Sequence, residues 1–191
     1  MNTFEHIVCS SSLWRYISYR QILPWMLSGS TLGEHILEIG AGYGPATKLL
    51  GERVERVTSL DYDSNALQEL RARENSTGGA AVCGDATRLP FKNESFSSAI
   101  SVLVLHHLKS VELQDRAFDE AFRVLRPGGV FLAVEITNTW LNKLAHTGST
   151  FTPVMPASTF TRLTKAGFSR IAVDFRSGGF RISATRPKNE P

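Results

Sequence analysis

Cysteine is scarce in this chain. Its two cysteines, Cys9 and Cys83, are far apart and match neither a CxxC pair nor a Cys/His spacing that holds zinc. The sequence therefore indicates neither a disulfide framework nor a metal site. Free cysteines without a framework are typical of a reducing compartment, so we expect a cytoplasmic protein.

Long apolar runs are also absent. None approaches the roughly 20 residues that a membrane-spanning helix needs. Glu5 and His6 stand where a secretory signal carries positive charge, and Arg15 and Arg20 interrupt the one candidate apolar region. The sequence thus predicts no membrane association and no export.

The excess of positive charge is small and sits at one end. The formal net charge is +3, and residues 162–191 alone carry a net +5. Arg170, Arg176, Arg181 and Arg186 are spread along two predicted strands without a compact cluster or interleaved exposed aromatic residues. A solvated face explains this pattern more often than phosphate binding does, so the sequence disfavours a nucleic acid partner.

The chain does contain enough apolar residues, 42% of 191, for one full core, and we expect one domain over residues 1–191. Strand and helix patterns alternate along it. Strands are predicted at 35–39, 54–60, 78–84, 97–105 and 130–136, and helices at 64–74 and 113–125, the last ended by Arg126-Pro127-Gly128-Gly129. Such alternation predicts an α/β fold with a doubly wound, mostly parallel sheet.

Both ends of the chain depart from that alternation. Residues 168–175 and 180–186 alternate in polarity around Ser177-Gly178-Gly179, which predicts a closing hairpin and hence an antiparallel strand. Residues 11–28 are rich in Trp, Tyr and Leu and predict one helix, broken or kinked at Pro24.

A glycine-rich turn follows the first strand. Gly40, Gly42 and Gly44 lack the side chains that would keep a ligand away from backbone N–H groups, and Pro45 fits the first turn of the next helix. A dinucleotide fingerprint would place glycine where Pro45 stands. Glycines after a strand can also form only a tight turn, so the turn alone does not identify a ligand.

Three carboxylates narrow the choice of ligand. Glu38 precedes the turn, and Asp61 and Asp85 end the second and third strands, so all three come to one edge of the sheet. Their charge opposes a pyrophosphate and favours a cation such as S-adenosylmethionine. Asp61 is placed to accept hydrogen bonds from ribose hydroxyls, whereas Asp85 has a turn role as an alternative.

Five segments, in order, resemble the successive motifs of class I S-adenosylmethionine-dependent methyltransferases, in the small methyltransferase-domain group. They are ILEIGAGYG (36–44), SLDYD (59–63), GDATRLPF (84–91), SFSSAISVLVLHHL (95–108) and RVLRPGGVF (123–131). The resemblance implies a Rossmann-like sheet of order 3-2-1-4-5-7-6 with strand 7 antiparallel. It also implies S-adenosylmethionine as cofactor and S-adenosylhomocysteine as product.

The resemblance assigns roles to the cofactor residues. The methionine part would be held by Glu38 with Gly40, Ala41, Gly42, Tyr43 and Gly44; the ribose and adenine by Asp61 and Tyr62; the adenine amino group by Gly84, Asp85 and Ala86; and the sulfonium would lie beside Ser101 and Val102. One departure is Ser97, which replaces the usual aspartate and is expected to change only the entry to strand four.

On the acceptor side, His106 and His107 follow strand four and are the candidates for proton transfer, with packing or loop anchoring as the alternative. By resemblance, the N-terminal segment and the stretch after strand five roof the acceptor pocket. The candidate substrate residues there are Trp14, Tyr16, Tyr19 and His146, with Trp25, Trp140 and Phe151 beside them. An aromatic stripe can equally be core packing.

The domain thus divides into a helical lid segment (1–34), a cofactor-binding core (35–136) and a substrate-side segment with the hairpin (137–187). The leading hypothesis is methyl transfer by in-line displacement to an O, N or C atom of a small molecule, by a monomer or homodimer. A non-catalytic S-adenosylmethionine-binding or adaptor protein is one alternative. An NAD(P)-dependent oxidoreductase is another, disfavoured by Pro45 and the acidic ring.

Overall fold

The computed structural model describes residues 11–73, 79–176 and 178–188. The strands are β1 (His35–Ile39), β2 (Arg56–Asp61), β3 (Ala80–Cys83), β4 (Phe96–Val102), β5 (Leu125–Ile136), β6 (Ser169–Arg176) and β7 (Gly179–Thr185). The α-helices are α1 (Ser12–Ile17), α2 (Leu23–Leu27), α3 (Thr47–Gly51), α4 (Ser64–Arg73), α5 (Val111–Val124), α6 (Trp140–Ala145) and α7 (Pro156–Lys165). The predictions that used Glu5, His6, Cys9 and Ser177, and the outer ends of 64–74 and 78–84, lie outside the described residues.

The seven strands form one sheet in the order β3-β2-β1-β4-β5-β7-β6. The pairings β1·β2, β1·β4, β2·β3 and β4·β5 are parallel, whereas β7 runs antiparallel to both β5 and β6. The predicted fold class, strand order and closing hairpin are therefore confirmed. Within the described part of the chain, none of the helices has the length and apolar character to cross a membrane.

The central strands are apolar on both faces because helices cover both. On one face, Leu23 and Met26 of α2 pack with Ile36, Ile100 and Leu132. On the other, Phe118 and Val124 of α5 pack with residues of the same strands and their neighbours, among them Leu37, Ala99, Phe131 and Phe180. Each fully buried Leu, Ile or Phe side chain contributes about 1.5–3 kcal/mol. This double layer fixes where each strand ends, and hence where the polar residues after β1, β2 and β4 meet.

The predicted N-terminal helix is interrupted close to Pro24. A π-helical segment, Ser18–Ile22, separates α1 from α2 directly before Pro24. Pro24 has no N–H to donate and its ring crowds the preceding turn, so the wider π turn relieves the clash. The kink allows α2 to pack on the sheet while α1 carries the exposed Leu13 and Tyr16.

Two strand boundaries differ most from the prediction. β5 begins at Leu125, not after the Pro-Gly-Gly stop, because Gly128 and Gly129 pair with Arg186, although residues 126–129 bulge out of the pairing with β4. Gly128 N–H donates to Arg186 O, Arg186 N–H donates to Gly129 O, and the register to β4 shifts between Phe96 and Ser98. β4 ends at Val102 because Leu103 adopts a left-handed conformation, φ 59°. That turn sends the following residues across the edge of the sheet.

Two arginines of the basic C-terminal region hold the fold together. Arg186 donates to the carbonyls of Phe122 and Leu125, at the C-terminal end of α5, and to Glu94. Arg181 pairs with Asp174 at 2.6 Å. It also donates to Trp25 O and Ser28 O, which fastens the end of α2 to the hairpin. In β6, Arg170 has φ 48° and the register to β7 shifts between Ser169 and Ala172.

Candidate active site

The glycine loop turns sharply at the carboxyl end of β1. Gly40, Gly42 and Gly44 have φ of 73°, 51° and 80°, a region that glycine enters without strain. A Cβ on Gly40 would lie 2.3 Å from Val104 Cγ2, so the segment after β4 packs against this glycine. A Cβ on Gly42 would meet nothing within 4 Å. The loop is therefore close-packed underneath and open at Gly42.

Asp61 joins the end of β2 to that loop. Its Oδ2 accepts the Gly42 N–H at 2.7 Å and its Oδ1 accepts the Asp63 N–H at 2.8 Å. Burial raises the pKa of Asp61 above the usual aspartate value, and the N–H groups of Asp63 and Gly42 offset this only in part. Each carboxylate oxygen has a second lone-pair direction, so Asp61 can still accept two ligand hydroxyls.

Glu38 supports the loop from below. Its side chain is 3% exposed, and Oε2 accepts the Thr47 hydroxyl at 2.6 Å and the Ser59 hydroxyl at 2.7 Å. One carboxylate thus ties β1 to the first turn of α3 and to β2. A buried charge is tolerable when hydrogen bonds and a nearby cation compensate it. Glu38 therefore adds negative potential beneath the open face of the loop.

The other predicted cofactor residues lie at the same edge of the sheet. Tyr62 is 82% exposed, whereas Ala41, Tyr43 and Ala86 are buried. The N–H of Gly84 donates to Asp61 O at 2.9 Å, so the third strand ends against the second. Asp85 is exposed, and its Oδ1 accepts the N–H and hydroxyl of Thr87, both at 2.8 Å. The alternative turn role of Asp85 is therefore realised in this structure.

The buried hydroxyl of Ser101 is a further indication of a ligand in this region. Its side chain is fully buried, and within the described part of the chain its Oγ has no hydrogen-bond partner. Leaving such a hydroxyl unsatisfied costs about 1–3 kcal/mol. The residue lies in β4 beside Ile39, near the turn of the glycine loop. Together with the open face at Gly42 and the two carboxylates, this orphaned hydroxyl fits a polar, cationic ligand.

His106 is held by a buried carboxylate. It lies in a single 3₁₀ turn, Leu105–His107, and its Nδ1 is 2.6 Å from Oε2 of Glu135. Glu135, at the end of β5, is fully buried, and its Oε1 accepts the N–H groups of Val104 and Leu105 at 3.1 and 2.8 Å. Glu135 thus fixes both the turn and the imidazole ring.

His146 and Phe151 come to the same place from the segment after β5. The rings of His146 and Phe151 stack with centroids 4.5 Å apart, and the centroids of His106 and His146 are 5.1 Å apart. One ring nitrogen from each of His106, His107 and His146 lies within 4.8 Å of the others. We call these three residues the histidine cluster. The structure therefore brings the two catalytic candidates together with the substrate candidate His146.

A hydrogen-bond network holds the cluster in place. The Thr152 N–H donates to His106 O at 2.8 Å. Gln114 of α5 is fully buried, and its amide donates to Leu105 O and Thr152 O. Arg162 of α7 donates to the amide oxygen of Gln114 at 3.0 Å. Helices of the core thus hold the cluster in place, although none of its three members lies in an α-helix.

The aromatic candidates of the N-terminal helix divide into two groups. Tyr19 donates its hydroxyl to Glu52 at the C-terminal end of α3, and Trp25 packs beside Arg176 and Arg181. These contacts are structural and join the helix to its neighbours. Trp14 is half-buried and Tyr16 is 61% exposed. The described contacts do not bring these four residues to the histidine cluster.

A cavity of about 530 Å³ lies at the opposite edge of the sheet. It is lined by the turn before β1, the start of β5 and the end of β7, including Arg126 and Arg170. Arg126 is already paired with Glu34 at 2.7 Å. No predicted site residue lines this cavity. Open α/β sheets bind ligands at the carboxyl ends of their strands, so the glycine loop remains the stronger candidate.

Sequence reasoning missed Glu135, Thr47 and Ser59. Glu135 lies in the predicted strand VFLAVEI, and a carboxylate at the end of a buried apolar strand is a signal in itself, since its charge needs compensation. Thr47 and Ser59 carry no comparable signal, because hydroxyl residues are common in helix starts and strands. The missing information was which of them faces Glu38.

Comparison with known proteins adds independent findings. A family model described as "Methyltransferase domain" matches residues 37–133. A fatty-acid O-methyltransferase of Mycolicibacterium smegmatis is 35% identical over 102 residues, 52% of this chain and 36% of the relative. A demethylmenaquinone methyltransferase of Clavibacter sepedonicus is 30% identical over 131 residues, 68% of this chain and 50% of the relative. The chain thus spans half or less of the length of these curated relatives.

A solved structure shares the fold. Phosphoethanolamine N-methyltransferase 2 of Haemonchus contortus, in complex with S-adenosyl-L-methionine, matches with a TM-score of 0.74. The match covers 98% of this chain and 61% of that chain at 15% identity. At this identity the likeness concerns the fold alone.

Proposed function

We propose that this chain, which belongs to the methyltransferase domain family, transfers a methyl group from S-adenosylmethionine to an O, N or C atom of a small lipophilic molecule. The family match and the methyltransferase relatives confirm the recognition made from the five motifs. S-adenosylmethionine is the cofactor named for a further relative, a probable S-adenosylmethionine-dependent methyltransferase of Mycolicibacterium smegmatis. The transfer reaction of this chain, its acceptor and its site residues are the proposal.

One observation carries the proposal. The Asp61 carboxylate accepts a hydrogen bond from the Gly42 N–H on the open side of the glycine loop, at the edge where β1 and β2 end. Burial raises the pKa of this carboxyl, so its ionised form is undercompensated and favours a ligand that brings hydroxyl donors and positive charge. A pyrophosphate would meet Asp61 and Glu38 with like charge.

In the proposed reaction, the bound cofactor supplies an activated methyl group on a sulfonium. The residues of the chain bind, orient and shield. Asp61 takes the ribose hydroxyls, the glycine loop and Glu38 hold the methionine part, and Ser101 offers its buried hydroxyl near the end of β4. Alignment of an acceptor with an already activated group supplies much of the rate, so no general base is obligatory. The proton-transfer role of His106 or His107 stays a prediction.

The acceptor side supports a lipophilic substrate. Helix α6, which follows β5, exposes Trp140, Leu141 and Leu144 at 71%, 57% and 63%. Apolar side chains this exposed on one short helix are typical of a contact surface for an apolar molecule. Fatty acids and demethylmenaquinone, the acceptors in the names of two relatives, have long apolar parts. We therefore propose an acceptor with a hydrocarbon portion and one reactive polar atom.

Calorimetry with S-adenosylhomocysteine and with NAD tests the cofactor proposal on the full chain. Saturable binding of S-adenosylhomocysteine, without binding of NAD, supports it, and the reverse preference would identify the oxidoreductase alternative. Transfer of a radiolabelled methyl group to a panel of fatty acids, quinols and amines then tests the reaction. Tight cofactor binding without transfer to any acceptor in the panel would favour the alternative of a non-catalytic binding protein.

A further inference from the structure

We propose that His106, His107 and His146 form a three-histidine site for a divalent transition metal of the zinc type. The sequence showed no such site, since its cysteines have no metal spacing and His146 is far from the histidine pair along the chain. The structure assigns the site through geometry, through the partners of two imidazole rings, and through access. It concerns metal binding and does not depend on the proposed methyl transfer.

The spacing of the rings fits a tetrahedral centre. The ring centroids are 4.2 Å apart for His106 and His107, 5.1 Å for His106 and His146, and 5.5 Å for His107 and His146. Zinc–nitrogen bonds of about 2.0–2.1 Å at tetrahedral angles place the ring centres roughly 5 Å from one another. The candidate ligand nitrogens lie within 4.8 Å of one another, and a bound metal would draw them to about 3.4 Å. Metal binding would therefore require the ligand nitrogens to move together by up to about 1.4 Å.

The partners of His106 set the tautomer that a metal requires. Its Nδ1 is 2.6 Å from the buried Glu135 carboxylate, which can only accept a hydrogen bond when ionised. The ring proton therefore lies on Nδ1 and the lone pair on Nε2. A carboxylate behind a ligating imidazole is the usual arrangement in zinc proteins, where it orients the ring and raises its basicity.

His146 repeats the arrangement with a backbone partner. Its Nδ1 is 2.6 Å from the carbonyl oxygen of Asn142. A carbonyl oxygen cannot donate, so here too the proton lies on Nδ1 and the lone pair on Nε2. Backbone carbonyls are the second common partner of metal-ligating histidines. In both His106 and His146, Nε2 is therefore the ring nitrogen whose lone pair can bind a metal.

The exposure of the three histidines and the number of protein ligands indicate which ions and molecules the site can take. His106 is buried, whereas His107 and His146 are half-exposed, so an ion can enter from the side of the α6 segment. Three protein ligands leave a fourth position open, as in catalytic rather than structural zinc sites. That position would take an oxygen, nitrogen or sulfur atom of a small molecule or water. Imidazole ligands favour Zn²⁺, Co²⁺, Ni²⁺ or Cu²⁺ over Mg²⁺ and Ca²⁺.

Cobalt titration of the full chain, without a histidine tag and stripped of metal by a chelator, tests the proposal. We expect one equivalent of Co²⁺ to bind with intense visible absorption typical of tetrahedral coordination, and Zn²⁺ to displace it. His146→Asn should abolish this absorption, as should His107→Asn. His146 is the preferred position because it lies half-exposed in a loop, so its replacement leaves the core intact.

Matched controls separate the cluster from other ligands. His35→Gln removes a histidine at the opposite end of β1, where His35 contacts Thr58, and should leave Co²⁺ binding unchanged. Cys83→Ser should do the same for the exposed thiol. Glu135→Gln should weaken Co²⁺ affinity about 10- to 100-fold, because Glu135 positions His106 without touching the metal. Circular dichroism verifies that each variant is folded.

Three outcomes would overturn the site. They are the absence of saturable Co²⁺ binding at micromolar concentrations, full binding in His146→Asn, and absorption that disappears in Cys83→Ser. Since neither cofactor nor acceptor enters the assay, a failure here is distinguishable from a failure of methyl transfer.

Discussion

Replacing Asp61 with alanine should cost most of the cofactor affinity while leaving the fold intact. The carboxylate accepts two backbone N–H groups in the free protein and has lone pairs left for two ribose hydroxyls. Hydrogen bonds to a charged group contribute at least about 1.5 kcal/mol each, so the loss of two costs about 3 kcal/mol. At 1.4 kcal/mol per decade, the Kd for S-adenosylhomocysteine should rise on the order of 100-fold.

The free energy of unfolding of Asp61→Ala should differ little from that of the unchanged protein, because two effects oppose each other. Gly42 and Asp63 lose an acceptor, but neither residue is buried, so water can replace it. Burial raises the pKa of Asp61 above that of the unfolded chain, so the folded state binds the proton more tightly. The carboxyl therefore subtracts stability once pH rises through the raised pKa, and the alanine variant is relieved of this loss. We expect a net change within about 1 kcal/mol at pH 7.

The assay is isothermal calorimetry with S-adenosylhomocysteine, with urea unfolding in parallel. Asp63→Ala is the matched control, because it removes a neighbouring exposed carboxylate that caps α4 through the N–H groups of Asn65 and Ala66. That variant should lose about 1 kcal/mol of stability and keep its affinity. A change in Kd smaller than about fivefold for Asp61→Ala, or an equal loss in both variants, would refute the reasoning.

Three further predictions test the packing and electrostatics of the fold. Gly40→Ala should lose about 2–4 kcal/mol in urea unfolding, from a left-handed backbone and a clash, whereas Gly42→Ala should lose only about 1–2 kcal/mol; equal losses contradict this. Ser101→Ala removes a buried, unpartnered hydroxyl and should raise the free energy of unfolding by about 1 kcal/mol; a decrease contradicts it. Hydrogen bonding to Arg123 lowers the pKa of Glu120, so its stabilisation is lost as pH falls below the usual glutamate range. Glu120→Gln should flatten that part of the stability curve, and superimposable curves would count against the pair.

The strands of the core could be predicted because their signals are local, whereas their order in the sheet was implied by the resemblance to class I methyltransferases. The first three strands are short apolar runs that end at a glycine or a carboxylate, and the repeated alternation with helices leaves few topologies. The final hairpin was visible from two alternating segments joined at Gly178 and Gly179. The start of β5 was not, because Pro127 and Gly128 are typical of a turn, and only pairing with Arg186 keeps that segment extended.

The histidine cluster shows where prediction from sequence stops. His106 and His107 were recognised from their position after β4, and His146 only by analogy with a roof over the pocket. Their meeting depends on Leu103, whose left-handed turn has no sequence signature, and on Gln114, which holds two loops from a neighbouring helix. This part of the site is formed by contacts between residues distant in sequence, and no local sequence pattern predicts such contacts.

The edge strand β6 affects whether copies of this chain can associate through their sheets. β6 is an edge strand, and a straight edge offers its unpaired backbone groups to any second chain. Here the strand is irregular, because Arg170 has φ 48° and the register to β7 shifts between Ser169 and Ala172. A further strand could not form a regular ladder of hydrogen bonds along this edge. The sheet is therefore finished at seven strands on that side, and fibril growth from it is disfavoured.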